Sequence, residues 1–224
     1  MKLLPLLILT LHSLLGSTVP TDERRLRHPE CIHQLTPEAG IHIRKPNRAY
    51  AIQKTIRLFR EAVQSVRNTF PDTPSLSVGD LSYRGGGRMR PHRSHRDGRD
   101  IDVGYYFKDG RSRRHFARAS ARTLDLPRTW ALFDALLQTN EVEYIFVSYR
   151  LQRALARYAR AQGVSSARLR RVFQWPRHWR NRRGIIRHER GHRDHFHIRF
   201  KRDVPPAPDE DSPEADTTPA PEPT

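Results

Sequence analysis

A strictly alternating segment near the end of the sequence, HFHIRF, constrains the fold more than any other feature. Over residues 195–200, aromatic or aliphatic side chains occupy every second position, and His195, His197 and Arg199 occupy the others. Successive side chains of a β-strand point to opposite faces of its sheet. The segment therefore predicts a strand whose apolar face joins the core and whose histidines project together from the other face. Two imidazoles placed in this way are close enough for one to bind a metal ion and the other to act beside it.

A second concentration of histidines and aspartates, PHRSHRDGRDID, lies about a hundred residues earlier. His95 precedes a glycine turn and Asp102 follows at the start of a predicted strand, so the two side chains can converge on one ion. Two imidazoles and one carboxylate suit Zn²⁺, and a fourth coordination position left to water is typical of a catalytic site. Six of the twelve histidines lie in or near these two stretches. A general basic surface does not explain that concentration.

The other periodic segments predict a single α+β domain. Apolar residues from Ile52 to Phe70 recur every three or four positions, which predicts an amphipathic helix ended by Pro71. Helices and strands do not alternate regularly along the chain, so a doubly wound sheet is not favoured. We expect a small antiparallel sheet that carries the metal site and is flanked by helices. Further helices are predicted at about 127–138, 150–163 and 165–173, and strands at about 100–107 and 142–149. A short strand is also predicted from about residue 75, entering a glycine loop at 85–87.

The two ends of the chain differ in composition from its centre. Residues 1–20 contain one lysine, an apolar run and then small residues, an order typical of a secretory signal peptide. The run is too short to span a bilayer comfortably, although a retained membrane anchor is the alternative. Residues 203–224 are acidic and proline-rich and are predicted to be disordered. The folded domain is then expected over residues 21–202, periplasmic or secreted, with no stable membrane span after signal cleavage.

Positive charge dominates this domain. The last 22 residues hold seven of the 24 acidic residues and none of the 41 basic ones, which leaves residues 1–202 with 41 basic and 17 acidic residues. Such a surface favours a polyanionic partner, which could be nucleic acid, an anionic membrane or an acidic cell-wall polymer. A secreted nucleic-acid-binding protein or metal-dependent nuclease is therefore an alternative. The signal peptide and the lack of a recognisable nucleic-acid-binding motif argue against it.

The two histidine stretches resemble the penicillin-insensitive murein endopeptidases, within the wider group of lysostaphin-like and D-alanyl-D-alanine metallopeptidases. The upstream segment GDLSYRGGG is also similar to this family. The pattern of the wider group is H-x6-D followed later by H-x-H, and the narrower family adds one histidine three residues before each histidine block. The matching residues are His95 and Asp102, then His195 and His197, with His92 and His192 as the added histidines.

This resemblance implies one Zn²⁺ per chain, held by His95, Asp102 and His197. It implies that His195, and after it His192, handles protons beside the activated water. The implied substrate is peptidoglycan, cut at a cross-link between D-alanine and meso-diaminopimelate, and no nucleic-acid partner is expected. Another alternative keeps the fold without the activity, as a wall-binding module. The sequence does not indicate the oligomeric state.

Further residues are expected around the site. His92 is expected near the metal or the substrate. Asp100 shares the Asp102 face, so it could orient a ligand histidine or form a surface salt bridge with an arginine. Arg187 would suit a carboxylate of the substrate. Asp194 is expected to point to the opposite side of an ideal strand. Cys31 is the only cysteine, so the chain departs from family members that carry disulfides.

Overall fold

The computed structural model describes residues 33–202 and confirms the α+β class. Four helices are present in this part of the chain: α1 (Gln53–Thr69), α2 (Leu126–Gln138), α3 (Tyr149–Ala161) and α4 (Ser166–Val172). The strands are β1 (His33–Gln34), β2 (Ile41–Ile43), β3 (Tyr50–Ala51), β4 (Leu76–Val78), β5 (Asp100–Gly104), β6 (Val142–Phe146), β7 (Ile186–Arg187) and β8 (His195–Phe200).

The main sheet is larger than the small antiparallel sheet predicted from the sequence. Six strands lie in the order β2-β4-β5-β8-β6-β7, and the β2–β4 and β6–β7 pairs are parallel. The three central pairings, β4–β5, β5–β8 and β8–β6, are antiparallel as expected. The prediction was too small because β2 and β7 are only two or three residues long. So short a segment carries no measurable alternation.

Strand β8 has the two faces that its sequence predicts. Phe196, Ile198 and Phe200 are each fully buried in the core. His195, His197 and Arg199 therefore lie on the opposite face. Burying three large apolar side chains fixes the register of β8, because a slip of one residue would move all of them out of the core.

Helix α1 covers one side of the sheet with the stripe predicted from its periodicity. Ile56, Phe59, Val63 and Val66 are buried in the same cluster as the apolar face of β8. The helix ends at Thr69, close to Pro71, which lacks the backbone N–H that another turn would use. Helix α2 packs beside α1 and is capped at its N-terminus by Asp125, whose carboxylate accepts a hydrogen bond from the backbone N–H of Arg128.

The ends of the chain lie outside the described residues. The predicted signal peptide, residues 1–20, and the predicted disordered tail, residues 203–224, are therefore not placed. Within residues 33–202, no helix is both long enough and apolar enough to cross a bilayer.

Candidate metal centre

The pairing of β5 with β8 builds the centre of the site. Asp102 lies opposite His197 in this antiparallel pair, and side chains of directly opposite residues project on the same face. The Nδ1 atom of His197 lies 3.1 Å from Oδ1 of Asp102. Both side chains are almost completely buried, so this contact is shielded from water.

His95 reaches the same point from the long segment between β4 and β5. Its Nδ1 atom donates a hydrogen bond to the backbone oxygen of Leu81 over 2.9 Å, which leaves a lone pair on Nε2. The Nε2 atom lies 3.1 Å from Nδ1 of His197 and 3.3 Å from Oδ1 of Asp102. The sequence prediction thus named three residues that the fold brings into contact.

The glycine loop at residues 85–87 supports the segment that carries His95. The backbone N–H of Gly87 donates to the oxygen of Arg96 over 2.8 Å. Gly86 adopts a φ of 68°, and a Cβ atom there would lie 2.6 Å from the same oxygen. A larger residue would be strained at this position. The glycines therefore hold the neighbouring chain in place.

The spacing of the three donor atoms fits a tetrahedral zinc ion. Zinc bonds to nitrogen and oxygen are about 2.0–2.2 Å long, so neighbouring ligand atoms in a tetrahedron lie about 3.3 Å apart. The three donor atoms of His95, Asp102 and His197 are separated by 3.1, 3.1 and 3.3 Å. Two imidazoles and one carboxylate are also ligands that zinc accepts.

Asp100 orients His197 from behind. Its Oδ1 atom accepts a hydrogen bond of 2.8 Å from Nε2 of His197, and Arg199 lies 3.7 Å from the same oxygen. The contact with His197 is the one that an orienting role would use, and the ion pair with Arg199 is buried rather than on the surface, because Asp100 is fully buried. Burial opposes ionisation of Asp100, but the hydrogen bond and the positive charges of His197 and Arg199 lower its pKa below 3.8. Asp100 is thus a carboxylate that directs Nδ1 of His197 toward the centre.

A second group of possible ligands shares two residues with the first. His92, His95 and Asp102 place one donor atom each within 4.8 Å of one another. The Nε2 atom of His92 lies 2.8 Å from Asp80, and its Nδ1 atom lies 3.9 Å from Oδ2 of Asp102. This spacing is looser than that of the group containing His197. Both groups require His95 and Asp102.

His195 lies beside the centre with its ring held on two sides. Its Nδ1 atom donates to Oδ1 of Asp194 over 2.7 Å, and its Nε2 atom lies 3.8 Å from Oδ1 of Asp102. The expectation that Asp194 points away from His195 was wrong. Asp194 precedes β8 and belongs to a turn, so strand alternation does not determine its direction.

Phe116 was missed by the sequence reasoning. Its ring stacks on that of His195, with 4.7 Å between centroids and 11° between planes, and the guanidinium of Arg44 lies on Phe116 at 4.2 Å from its centroid. A Cβ atom on Gly79 would lie 2.6 Å from the Phe116 ring. Because the surrounding loop is polar and irregular, no periodicity in the sequence could have identified Phe116.

His192 faces the centre as a neutral imidazole. Burial and the nearby His195 and His197 lower the pKa of His192 to about 4. Its Nδ1 atom lies 3.0 Å from the backbone oxygen of Arg190, so Nδ1 carries the hydrogen and Nε2 keeps a lone pair. The Nε2 atom of His192 is therefore a hydrogen-bond acceptor, while its Nδ1 atom is bonded to the backbone.

Arg187 does not contact the three central donor atoms. Its Nε atom donates to the backbone oxygen of Gly184 over 2.6 Å, and its guanidinium lies 5.4 Å from the ring centroid of Tyr144. It lies opposite Phe146 in the β6–β7 pair. The Phe146 ring in turn lies 5.5 Å from that of His197. Arg187 is thus separated from the centre by a single aromatic side chain.

The family model for penicillin-insensitive murein endopeptidases matches residues 38–220. The chain belongs to this family. The match includes every residue described for the candidate metal centre, and it confirms the resemblance seen in the two histidine stretches. As a murein endopeptidase, the chain is a peptidase whose substrate is the peptidoglycan of the cell wall. No curated protein matches the chain.

Proposed function

We propose that the protein is a zinc-dependent endopeptidase that hydrolyses peptide cross-links of peptidoglycan, acting in the periplasm or after secretion. The observation that supports zinc most strongly is the triangle of donor atoms from His95, Asp102 and His197, with edges of 3.1–3.3 Å. The family match supplies the substrate class.

The proposed ligands are Nε2 of His95, Oδ1 of Asp102 and Nδ1 of His197. When bound, zinc lowers the pKa of a water molecule to about 7 and polarises the scissile carbonyl. Each of the two histidine ligands has a partner that holds its orientation. Leu81 accepts a hydrogen bond from His95, and Asp100 accepts one from His197. Such partners typically improve metal affinity about tenfold to a hundredfold.

His195 is the proposed proton carrier. Asp194 accepts the hydrogen on Nδ1, so the lone pair of Nε2 faces the centre. Nε2 takes the proton lost by the attacking water and later returns it to the leaving amine. Asp194 also fixes the orientation of the ring during both steps, because its carboxylate lies 2.7 Å from Nδ1.

His192 has a narrower proposed role than the sequence suggested. Because it is neutral with the hydrogen on Nδ1, its Nε2 atom accepts a hydrogen bond but does not donate one. It therefore orients the attacking water rather than stabilising a developing negative charge.

The proposed bond is the one that joins D-alanine to meso-diaminopimelate in a cross-link. The test uses purified peptidoglycan containing that cross-link and mass spectrometry of the released fragments. We expect the zinc-loaded protein to convert cross-linked dimers into monomers with a new D-alanine carboxyl end. Removal of zinc by a chelator should stop this conversion, and added zinc should restore it.

Two results would contradict the proposal. Undiminished cleavage after removal of the metal would exclude zinc dependence. Binding of peptidoglycan by the zinc-loaded protein without release of any fragment would favour the wall-binding module instead.

A further inference from the structure

A pocket lined by arginines opens next to the candidate metal centre. It has a volume of about 250 Å³. Phe146 belongs to its wall and also lies against His197 and His192, at 5.5 and 5.6 Å between ring centroids. We call this the arginine pocket, and its other principal lining residues are Trp179, Arg180, Arg182, Arg187 and Arg190.

The charge of the arginine pocket is largely uncompensated. Four guanidinium groups face it, and Glu189 is the only acidic residue among those that line it. Among residues 33–202, none of the four forms an ion pair, whereas Arg48, Arg99 and Arg128 elsewhere in the fold each pair with an aspartate. Concentrated charge of one sign in a concave site attracts a ligand of the opposite sign.

Arg187 is held in a fixed position within this pocket. Its Nε atom is bonded to the backbone of Gly184, and its plane lies near the Tyr144 ring. Within the described chain, its two terminal nitrogens make no hydrogen bond. A guanidinium fixed through Nε, with both terminal nitrogens free, suits a planar carboxylate. The two terminal N–H groups can donate parallel hydrogen bonds to the two carboxylate oxygens.

We propose that the arginine pocket binds a free carboxylate of the peptide next to the bond that is cleaved. This inference rests on the proposed function, since it places the carboxylate relative to a substrate held at the metal centre. The pocket is smaller than the roughly 300–1,000 Å³ typical of sites for whole drug-sized ligands. Its size therefore favours one charged group of a larger substrate, with Arg187 and Arg182 as residues that determine specificity.

The test compares two cross-linked peptides that differ at a single group. One carries a free carboxylate beside the scissile amide, and the other carries a carboxamide of nearly the same shape. We expect kcat/KM of the zinc-loaded protein to be about tenfold to a hundredfold higher for the carboxylate, the usual effect of a hydrogen bond to a charged group. Arg187→Gln and Arg182→Gln should lower kcat/KM for the carboxylate peptide and leave that for the carboxamide peptide little changed.

Arg153→Gln is the matched control. It removes the same charge from an exposed position on α3, outside the arginine pocket. It should preserve the preference for the carboxylate peptide. If Arg187→Gln lowers cleavage of both peptides by the same factor, or if the unmodified protein shows no preference, the proposal is wrong.

A binding measurement separates this proposal from the proposed function. Calorimetry with the zinc-loaded His195→Ala variant should show tighter binding of the carboxylate peptide than of the carboxamide peptide, whether or not the protein cleaves either one. Equal binding would overturn the carboxylate site even for an active peptidase. If the variant binds the carboxylate peptide more tightly but the unmodified protein cleaves neither peptide, the carboxylate site is supported and the proposed function is contradicted.

Discussion

The two ring nitrogens of His197 face different carboxylates, and this decides which nitrogen is available to a metal. Nε2 is bonded to Asp100 at 2.8 Å, while Nδ1 lies 3.1 Å from Asp102. Burial disfavours a charged His197, but these two carboxylates outweigh it and raise its pKa to about 9. Without metal, both nitrogens therefore carry hydrogen at neutral pH. In the proposed zinc-loaded protein, the metal would take the place of the hydrogen on Nδ1.

Asp100 provides a test of this arrangement. In Asp100→Asn the side chain keeps an oxygen that accepts the hydrogen bond from His197 but loses its negative charge. We expect zinc affinity to fall about tenfold to a hundredfold, as is typical for a group behind a metal ligand. Competition with a chelator of known affinity measures the change. Unchanged zinc affinity would mean that Asp100 only forms its salt bridge with Arg199.

His195 and His197 are two residues apart and have different proposed roles. His195→Ala should retain about one zinc per chain but lower kcat roughly a hundredfold to ten-thousandfold, the usual contribution of a general acid–base group. Metal analysis and fragment release on the same sample measure both quantities. His33→Ala, an exposed histidine on β1, is the control and should change neither. Loss of zinc in His195→Ala would show instead that this residue is a ligand.

At the scale of elements, two pieces of chain without regular structure complete a site that begins on two strands. Strands β5 and β8 supply Asp102 and His197 in register. The segment between β4 and β5 supplies His95, and the loop after β5 places Phe116 on His195. The Phe116 ring can approach the sheet this closely because Gly79 has no Cβ atom, which would lie 2.6 Å from the ring.

Gly79→Ala tests the effect of this loop on His195. The added Cβ atom would lie 2.6 Å from the Phe116 ring, so the ring must move away from His195. We expect kcat to fall while bound zinc is retained. The double variant Gly79→Ala, Phe116→Ala should be no less active than Phe116→Ala alone, because the clash is then absent. If the loss of kcat in the double variant equals the sum of the losses in the two single variants, expressed as free energies, this explanation is contradicted.

The sequence predicted the elements with a strong periodic pattern and missed those without one. Helix α1 and strand β8 were predicted because each has a long apolar face that must join the core. Strands β2 and β7 were missed because two or three residues show no periodicity. The proposed ligand group could be predicted from the sequence because two short motifs contain all its residues. The roles of Asp80 and Phe116 could not be predicted from the sequence, because their contacts depend on how segments far apart in the chain pack together.

At the scale of the whole molecule, buried charge in the site links the stability of the metal-free protein to pH. The pKa of His197 is about 9 in the folded protein and about 6.5 when unfolded, so its contribution is complete below about pH 6.5 and is lost as pH rises toward 9. The pKa of Asp100 is lowered instead, so its contribution is present above about pH 3.8 and is lost in acid. The metal-free protein should then be less stable at pH 9 than at pH 6.

Calorimetric melting of the chelated protein across this range measures the effect. The zinc-loaded protein should not lose stability in the same way, because zinc binds the deprotonated ring. Metal-free His197→Ala serves as the control and should show a smaller decrease between pH 6 and pH 9. An equal decrease in that variant would place the pH dependence in other groups.

The identity of the third ligand is the central claim, since His197 and His92 both present an Nδ1 atom near Asp102. Anomalous diffraction from crystals of the zinc-loaded protein, recorded on both sides of the zinc absorption edge, locates the ion directly. We expect one zinc per chain, bonded to Nε2 of His95, Oδ1 of Asp102 and Nδ1 of His197. A zinc ion bonded to His92 in place of His197, or no zinc at this centre, would contradict the account.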